Sequence, residues 1–162
     1  LAEKGYAQYE VSNFAVSPEK RSRHNRKYWS FAPYLGFGPS AHAFLPPERR
    51  WNAPTLEEYL ALLAAGKPAV AGREVLGYGQ QVIEAVYLGL RQNEGIRISA
   101  FEGRFGLGFE ETFGTVLSEL RKNGWMKTDA PGRCALTPPG MLFLDGITAM
   151  LVSCDFPDAP PR

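Results

Sequence analysis

The sequence predicts a mixed α/β chain in which a front part of short strands and one strong helix leads into a mostly helical rear domain with winged-helix order. Three observations carry this. Thr55 and Glu58 form a capping box ahead of Leu56, Tyr59, Leu60 and Leu63, spaced for one helical face, with Gly66 and Pro68 as the stop. From residue 80 onward the patterning runs helix, strand, helix, helix, hairpin. And 162 residues at 44% hydrophobic content suffice for a real core, as one domain or as a small domain plus part of another.

Taken in order, Leu1 to Lys4 reads as the tail of a helix with Gly5 at its left-handed cap, followed by an extended segment over residues 6–14 carrying Tyr6, Tyr9 and Val11. Residues 17–25 are polar. The glycines of Gly36-Phe37-Gly38 permit close backbone approach to a neighbour or a ligand, and Arg50-Trp51-Asn52 is a short candidate strand. The apolar face of the Thr55 helix is expected to pack on a sheet. Residues 68–79, rich in glycine and without periodicity, suit a linker, which places a domain boundary near Arg73 and gives domains of 1–72 and 73–155.

In the rear domain a helix is expected over residues 80–91, a strand over 96–98, and a short helix opened by a Ser99/Glu102 capping box. A longer helix carries Phe113, Val116, Leu117 and Leu120 and stops at Asn123-Gly124. Residues 125–128 and 134–137 flank an Asp129-Ala130-Pro131-Gly132 turn, and Pro138-Pro139 opens a last apolar helix through Val152. The proline-rich end, 156–162, is expected to fray.

Composition narrows the function. Eighteen Lys and Arg against 17 Asp and Glu leave a net charge of +1, so the whole chain gives no argument for nucleic acid or an anionic membrane, and any polyanion site must be local. Cys134 and Cys154 are the two cysteines, without the short spacing of a disulfide framework or of a zinc or iron-sulfur ligand set. A reducing cytoplasm fits best. No apolar run approaches the ~20 residues of a membrane span. The chain begins without Met and lacks a signal peptide's apolar stretch, and it reads as the rear piece of a larger protein. A winged helix invites a DNA reading, but the helix that would enter the groove begins with Glu110 and Glu111, and the wing offers Arg133 close to Asp129. Nucleic acid is therefore not the expected partner.

The most unusual stretch is Lys20-Arg21-Ser22-Arg23-His24-Asn25-Arg26-Lys27-Tyr28-Trp29, with five basic side chains and a histidine beside two large aromatics. Such a set suits a flat, apolar, anionic ligand. A porphyrin presents propionates for Arg or Lys to grip, a broad face for Tyr and Trp to cover and, in haem, an iron that imidazole can ligate. His24 is then the natural axial ligand. The same residues also suit a solvated basic loop whose Tyr28 and Trp29 plug the core, or a single-stranded nucleic-acid contact. The glycines at 36 and 38 lack the rest of a dinucleotide fingerprint, and His42 beside them is by type more often packed than catalytic.

Four motifs in order, Tyr9-Glu10-Val11-Ser12-Asn13-Phe14-Ala15, His24-Asn25-Arg26-Lys27-Tyr28-Trp29, Tyr34-Leu35-Gly36-Phe37-Gly38-Pro39-Ser40-Ala41-His42 and Arg49-Arg50-Trp51-Asn52, resemble the HemW-type radical-SAM haem chaperones, relatives of the HemN-type oxygen-independent coproporphyrinogen dehydrogenases. The resemblance continues through Glu94-Gly95 and residues 101–106. It implies that residues 1–72 are the rear part of a (β/α) radical-SAM barrel, joined to the winged-helix-like domain. It implies a haem site at Arg23, His24, Asn25, Tyr28 and Trp29, with His24 on the iron. It also places Ser12, Phe14, Gly36 and Phe37 near an S-adenosylmethionine site. The family's C-x-x-x-C-x-x-C cluster motif does not occur in these residues, so the resemblance assigns the [4Fe-4S] cluster and S-adenosylmethionine to a full-length parent, and radical catalysis is not expected of this chain alone. The partners it implies are haem or a porphyrin, an acceptor protein for haem and the front half of the barrel. The alternative within the family is the rear half of a coproporphyrinogen dehydrogenase.

Overall fold

The computed structural model describes residues 1–157, 159 and 160. A 3-10 turn over Ala2–Lys4 ends at Gly5, whose φ of 76° is the left-handed cap the sequence suggests. The elements that follow are β1 (Ala7–Gln8), β2 (Phe14–Ala15), α1 (Arg23–Trp29), β3 (His42–Leu45), β4 (Glu48–Asn52), α2 (Leu56–Ala64), β5 (Val70–Val75), α3 (Tyr78–Leu90), β6 (Ile96–Arg97), α4 (Ile98–Phe105), α5 (Phe109–Lys122), β7 (Arg133–Cys134), α6 (Pro138–Leu142) and α7 (Leu144–Val152). The mixed α/β class is as expected, with helix dominant from Tyr78 onward. Two compact units divide these elements. One is Leu1–Phe31 together with the chain from Tyr78 onward, and the other is Ala32–Gly77.

The smaller unit is an antiparallel three-stranded sheet, β3-β4-β5, with α2 following β4. Its third strand corrects the sequence reading. The stretch taken for a linker, with a boundary near Arg73, is β5, and Arg73 pairs with Arg50 in the middle of the ladder. The glycine that suggested a linker has a packing reason instead. Gly72 lies opposite Trp51, and a Cβ there would stand 2.4 Å from the indole ring, so the ring needs a bare backbone to lie across. Helix α2 begins as the capping box predicts, with Thr55 Oγ1 accepting from Glu58 N–H at 3.2 Å, but its apolar face does not pack on a sheet. Leu56, Leu60 and Leu63 are all exposed.

In the larger unit the extended segment over residues 6–14 proves to be two short strands. β1 and β2 pair antiparallel, Ala7 with Ala15 and Gln8 with Phe14, because the carboxylate of Glu10 folds the intervening turn around itself. Its Oε1 accepts from Ser12 N–H at 3.2 Å and from the Asn13 side-chain amide. The polar stretch 17–25 also holds more order than expected: a 3-10 turn over Pro18–Lys20, then Ser22, whose Oγ accepts from Asn25 N–H and caps α1.

The core of this unit lies among α3, α4, α5 and α7. Val82, Val86, Leu90, Leu117, Leu120, Leu136 and Ile147 are all buried, and the rings of Phe101, Phe105, Phe109 and Phe113 pack edge to face or tilted at centroid distances of 4.9 to 5.9 Å. The expected Ser99/Glu102 box is not made. Helix α4 starts at Ile98 without a side-chain cap, and Glu102 Oε1 reaches forward to accept from Phe109 N–H at 3.0 Å, satisfying the start of α5 instead. The Asp129–Gly132 turn closes as predicted, with Met126 bridged to Leu136, while Cys134 pairs with Ile96 of β6. The last apolar helix is broken into α6 and α7 at Phe143, whose φ of −105° and ψ of 15° interrupt the helical path. Phe156, expected to fray, packs its ring 5.8 Å from Phe113; residues 158, 161 and 162 of that tail lie outside the described residues.

The Gly72 contact yields a direct test. Gly72→Ala forces the new methyl into the Trp51 ring and is expected to cost about 1–3 kcal/mol, read as a lower urea midpoint for the 32–77 unit. Wild-type stability in that variant would contradict the role assigned to the bare backbone.

Candidate functional site: the α1 helix and the cleft beside it

Helix α1 turns the basic-aromatic stretch into a defined surface. With 3.6 residues per turn, His24 and Tyr28 fall one above the other, and their rings meet edge to face at 4.8 Å between centroids. His24 is exposed, as are Arg23, Arg26 and Lys27, whereas Asn25, Tyr28 and Trp29 are half-buried. One side of the helix therefore offers imidazole and cations to solvent, and its C-terminal end is fixed to the protein.

Trp29 makes that attachment. The Arg91 guanidinium lies over its indole at 4.6 Å, and Gln92 Nε2 donates to its carbonyl at 3.3 Å. Glu94 pairs with Arg21 at 2.6 Å and with Arg26 at 3.5 Å, drawing the front of the helix toward the same loop. Tyr9 contributes from the hairpin, its hydroxyl accepting from Ser22 N–H at 3.1 Å just ahead of the helix. Nothing in spacing joins residue 29 to residue 91, so sequence alone does not pair Arg91, Gln92 or Glu94 with the motif, and Glu94 enters only through the family resemblance.

Beyond Trp29 the chain reverses through Phe31, which adopts a left-handed φ of 53° yet is buried to 3% exposure. For an L-residue that backbone costs roughly 1–2 kcal/mol, which ring burial offsets. A cleft of about 260 Å3 opens there, walled by Trp29, Phe31, Phe101 and Phe105 and rimmed by Arg97, Arg104 and Arg133. The Arg104 guanidinium sits over the Phe31 ring at 4.5 Å, and burial pulls its pKa below the ordinary value.

The other residues implied by the resemblance fall in different units. Ser12 is in the β1–β2 turn with its N–H on Glu10, and Phe14 is an exposed residue of β2; both belong to the larger unit. Gly36 and Phe37 belong to the smaller one. Phe37 is 84% exposed, and Gly36 lies against strand β3, where a Cβ would stand 2.2 Å from the His42 carbonyl oxygen. The close approach foreseen for this glycine is thus made to a neighbouring backbone. His42 stands across from Trp51, with ring centroids 6.1 Å apart.

Among the described residues no group of three or more His, Cys, Asp or Glu side chains could hold a metal, and no helix is long and apolar enough to cross a membrane. Cys134 is buried and Cys154 half-buried. Two thiols do not supply the three thiolates of a radical-SAM [4Fe-4S] cluster, so these residues do not fit that group.

Comparison with known proteins then decides the family. Residues 80–143 match the HemN C-terminal domain. The chain is 38% identical over 120 residues to the haem chaperone HemW of Lactococcus lactis, covering 74% of this chain and 31% of that protein. It is 32% identical over 154 residues to the haem chaperone HemW of Mycobacterium tuberculosis, covering 94% and 36%.

The chain belongs to the HemW/HemN family of radical-SAM proteins.

It matches the C-terminal part of that family and spans about a third of the length of these curated HemW relatives. The fold is also that of the radical-SAM enzyme coproporphyrinogen III oxidase (HemN) from Escherichia coli, with a TM-score of 0.68 at 20% identity over 94% of this chain and 38% of that one. S-adenosylmethionine and a [4Fe-4S] cluster belong to a full-length parent of this family.

The buried thiol gives a pH test. Burial first, and the Glu110 carboxylate second, push the Cys134 thiol up to about 12 from an ordinary 9.0, against the pull of Arg121. Between those values the unfolded thiol has released its proton while the folded one keeps it. Stability is therefore lost as pH rises through that window. Urea midpoints at pH 8, 9.5 and 10.5 are expected to fall more steeply in the parent than in Cys134→Ala; parallel slopes would contradict the assignment.

Proposed function

We propose that this chain is the haem-binding rear part of a radical-SAM haem chaperone, in which α1 receives haem reversibly and presents it to an acceptor protein. The observation that carries the reading is the position of His24. Its imidazole stands exposed on a helix whose far end is fixed by Trp29, so the ligand is accessible while its carrier is held. One exposed imidazole would occupy one axial position of the iron. The opposite face would stay open, as transfer to an acceptor requires.

In this reading Tyr28 orients the imidazole by its edge contact, Arg23 offers a propionate a cation, and Asn25 stands beside the ligand on the half-buried side of the helix. Ser12, Phe14, Gly36 and Phe37 remain proposed as contacts to S-adenosylmethionine in the longer protein. A cytoplasmic setting is proposed with them. The alternative, the rear half of a coproporphyrinogen dehydrogenase, draws on fold likeness to the E. coli HemN structure, whereas the curated sequence relatives compared above are haem chaperones.

Titration with haemin separates the outcomes. The parent is expected to shift the Soret band, and His24→Ala is expected to lose the shift and weaken binding at least about tenfold, since even indirect support of a metal ligand contributes 10–100-fold. Equal spectra in the two proteins would remove His24 from the iron. Release of carbon dioxide from coproporphyrinogen by the full-length protein would favour the dehydrogenase.

A further inference from the structure

We propose that the cleft beside Trp29 is a carboxylate-binding site, in which Arg97, Arg104 and Arg133 receive an acid group carried on a flat apolar body that rests against Trp29 and Phe31. The inference rests on the haem-binding reading for the source of the acid, a porphyrin propionate edge, but not for the chemistry of the site.

The cleft's polar lining is strongly one-sided. Three guanidinium groups border it, and among the described residues none of the three has a carboxylate partner. Arg133 donates to the Glu94 carbonyl, Arg104 stacks on Phe31 and Phe105, and Arg97 is exposed at the rim. Glu94, the acid in this lining, already faces Arg21 and Arg26 on its other side. Its charge is therefore shared with cations outside the rim. The indole Nε1–H of Trp29 is buried without a hydrogen-bond partner. A guanidinium grips a carboxylate through two parallel N–H donors, and several of them around one opening favour an anion over a neutral group.

Size and walls define the rest of the ligand. About 260 Å3 falls below the roughly 300–1,000 Å3 of pockets that enclose a whole drug-sized molecule. The cleft accordingly takes an arm or an edge, not an entire macrocycle. Its walls of Trp29, Phe31, Phe101 and Phe105 suit the apolar carbon next to that arm. Trp29 belongs to both places, as the last residue of α1 and as a wall of the cleft. A ligand ligated at His24 and extending along this end of the helix would bring its acid edge to the arginines.

The test uses protoporphyrin IX, its dimethyl ester and isophthalate, a flat dicarboxylate with no porphyrin, each titrated into the parent chain and into Arg97→Gln/Arg133→Gln. Both substituted residues lie outside the hydrophobic core, and circular dichroism checks that the variant folds. Protoporphyrin IX is expected to bind the parent on the order of tenfold more tightly than the diester, the scale of one charge-assisted contact. The double variant should lose that preference while keeping its diester affinity. Isophthalate should quench tryptophan fluorescence in the parent and not in the variant. If isophthalate binds in that way and porphyrins do not compete, the carboxylate site stands and the porphyrin reading fails. If porphyrins bind with acid and diester equal, the haem reading stands and this proposal is overturned. Unchanged affinities in the variant overturn it as well.

Discussion

The larger unit depends on one short segment, Arg91-Gln92-Asn93-Glu94, where α3 ends. Its main chain holds the N-terminal hairpin: Val11 N–H donates to the Arg91 carbonyl at 2.9 Å, Asn93 N–H donates to the Tyr9 carbonyl at 3.0 Å, and the Asn93 amide reaches the Gln8 carbonyl at 2.7 Å. Its side chains hold α1 through Trp29, Arg21 and Arg26. Its carbonyls at Asn93 and Glu94 accept from Lys127 and Arg133 of the β7 region. Three chain segments far apart in sequence thereby acquire fixed positions from four consecutive residues. Removing one hydrogen bond from such a network leaves a half-buried partner unsatisfied, which costs more than the bond itself contributes.

That arrangement explains why a seven-residue helix can bear a site at all. An isolated helix of this length is marginal in water, and α1 has no fully buried residue of its own. Its stability comes from the ends: the Ser22 cap in front, and Trp29 under Arg91 behind. The middle stays polar and exposed. Arg26 there pairs with Glu94, but an exposed pair of this kind is weak and screened by salt, and Arg23 and Lys27 beside it stay exposed to an incoming anion.

Much of the fold was legible because its signals are local. The Thr55 cap, the Asn123-Gly124 stop and the period of Phe113, Val116, Leu117 and Leu120 each lie within one turn or two of helix. The errors came where a residue answers to a distant partner. Gly72 looked like linker because the Trp51 ring that requires it is on another strand, and Glu102 looked like a cap for its own helix because the neighbouring α5 start at Phe109 is seven residues on. The same distinction governs the site. The motif from His24 to Trp29 is contiguous in sequence, whereas Arg97 and Arg133, cross-strand partners on β6 and β7, and Arg104 of α4 line one cleft whose assembly no spacing encodes.

Phe31 links the two halves of the candidate site by a constraint rather than by chemistry. A left-handed backbone at a bulky residue persists when the surroundings over-determine it, and here the ring is almost wholly buried with Arg104 laid over it. Relaxing the backbone to an ordinary conformation would swing the ring out of the cleft wall and take the support from under Arg104. The position of that guanidinium therefore depends on how α1 ends, and how α1 ends depends on Trp29 and the segment after α3. A ligand that touches His24 and the cleft at once would meet two surfaces already held in register by the same four residues, and so would lose less freedom on binding than one that had to order them.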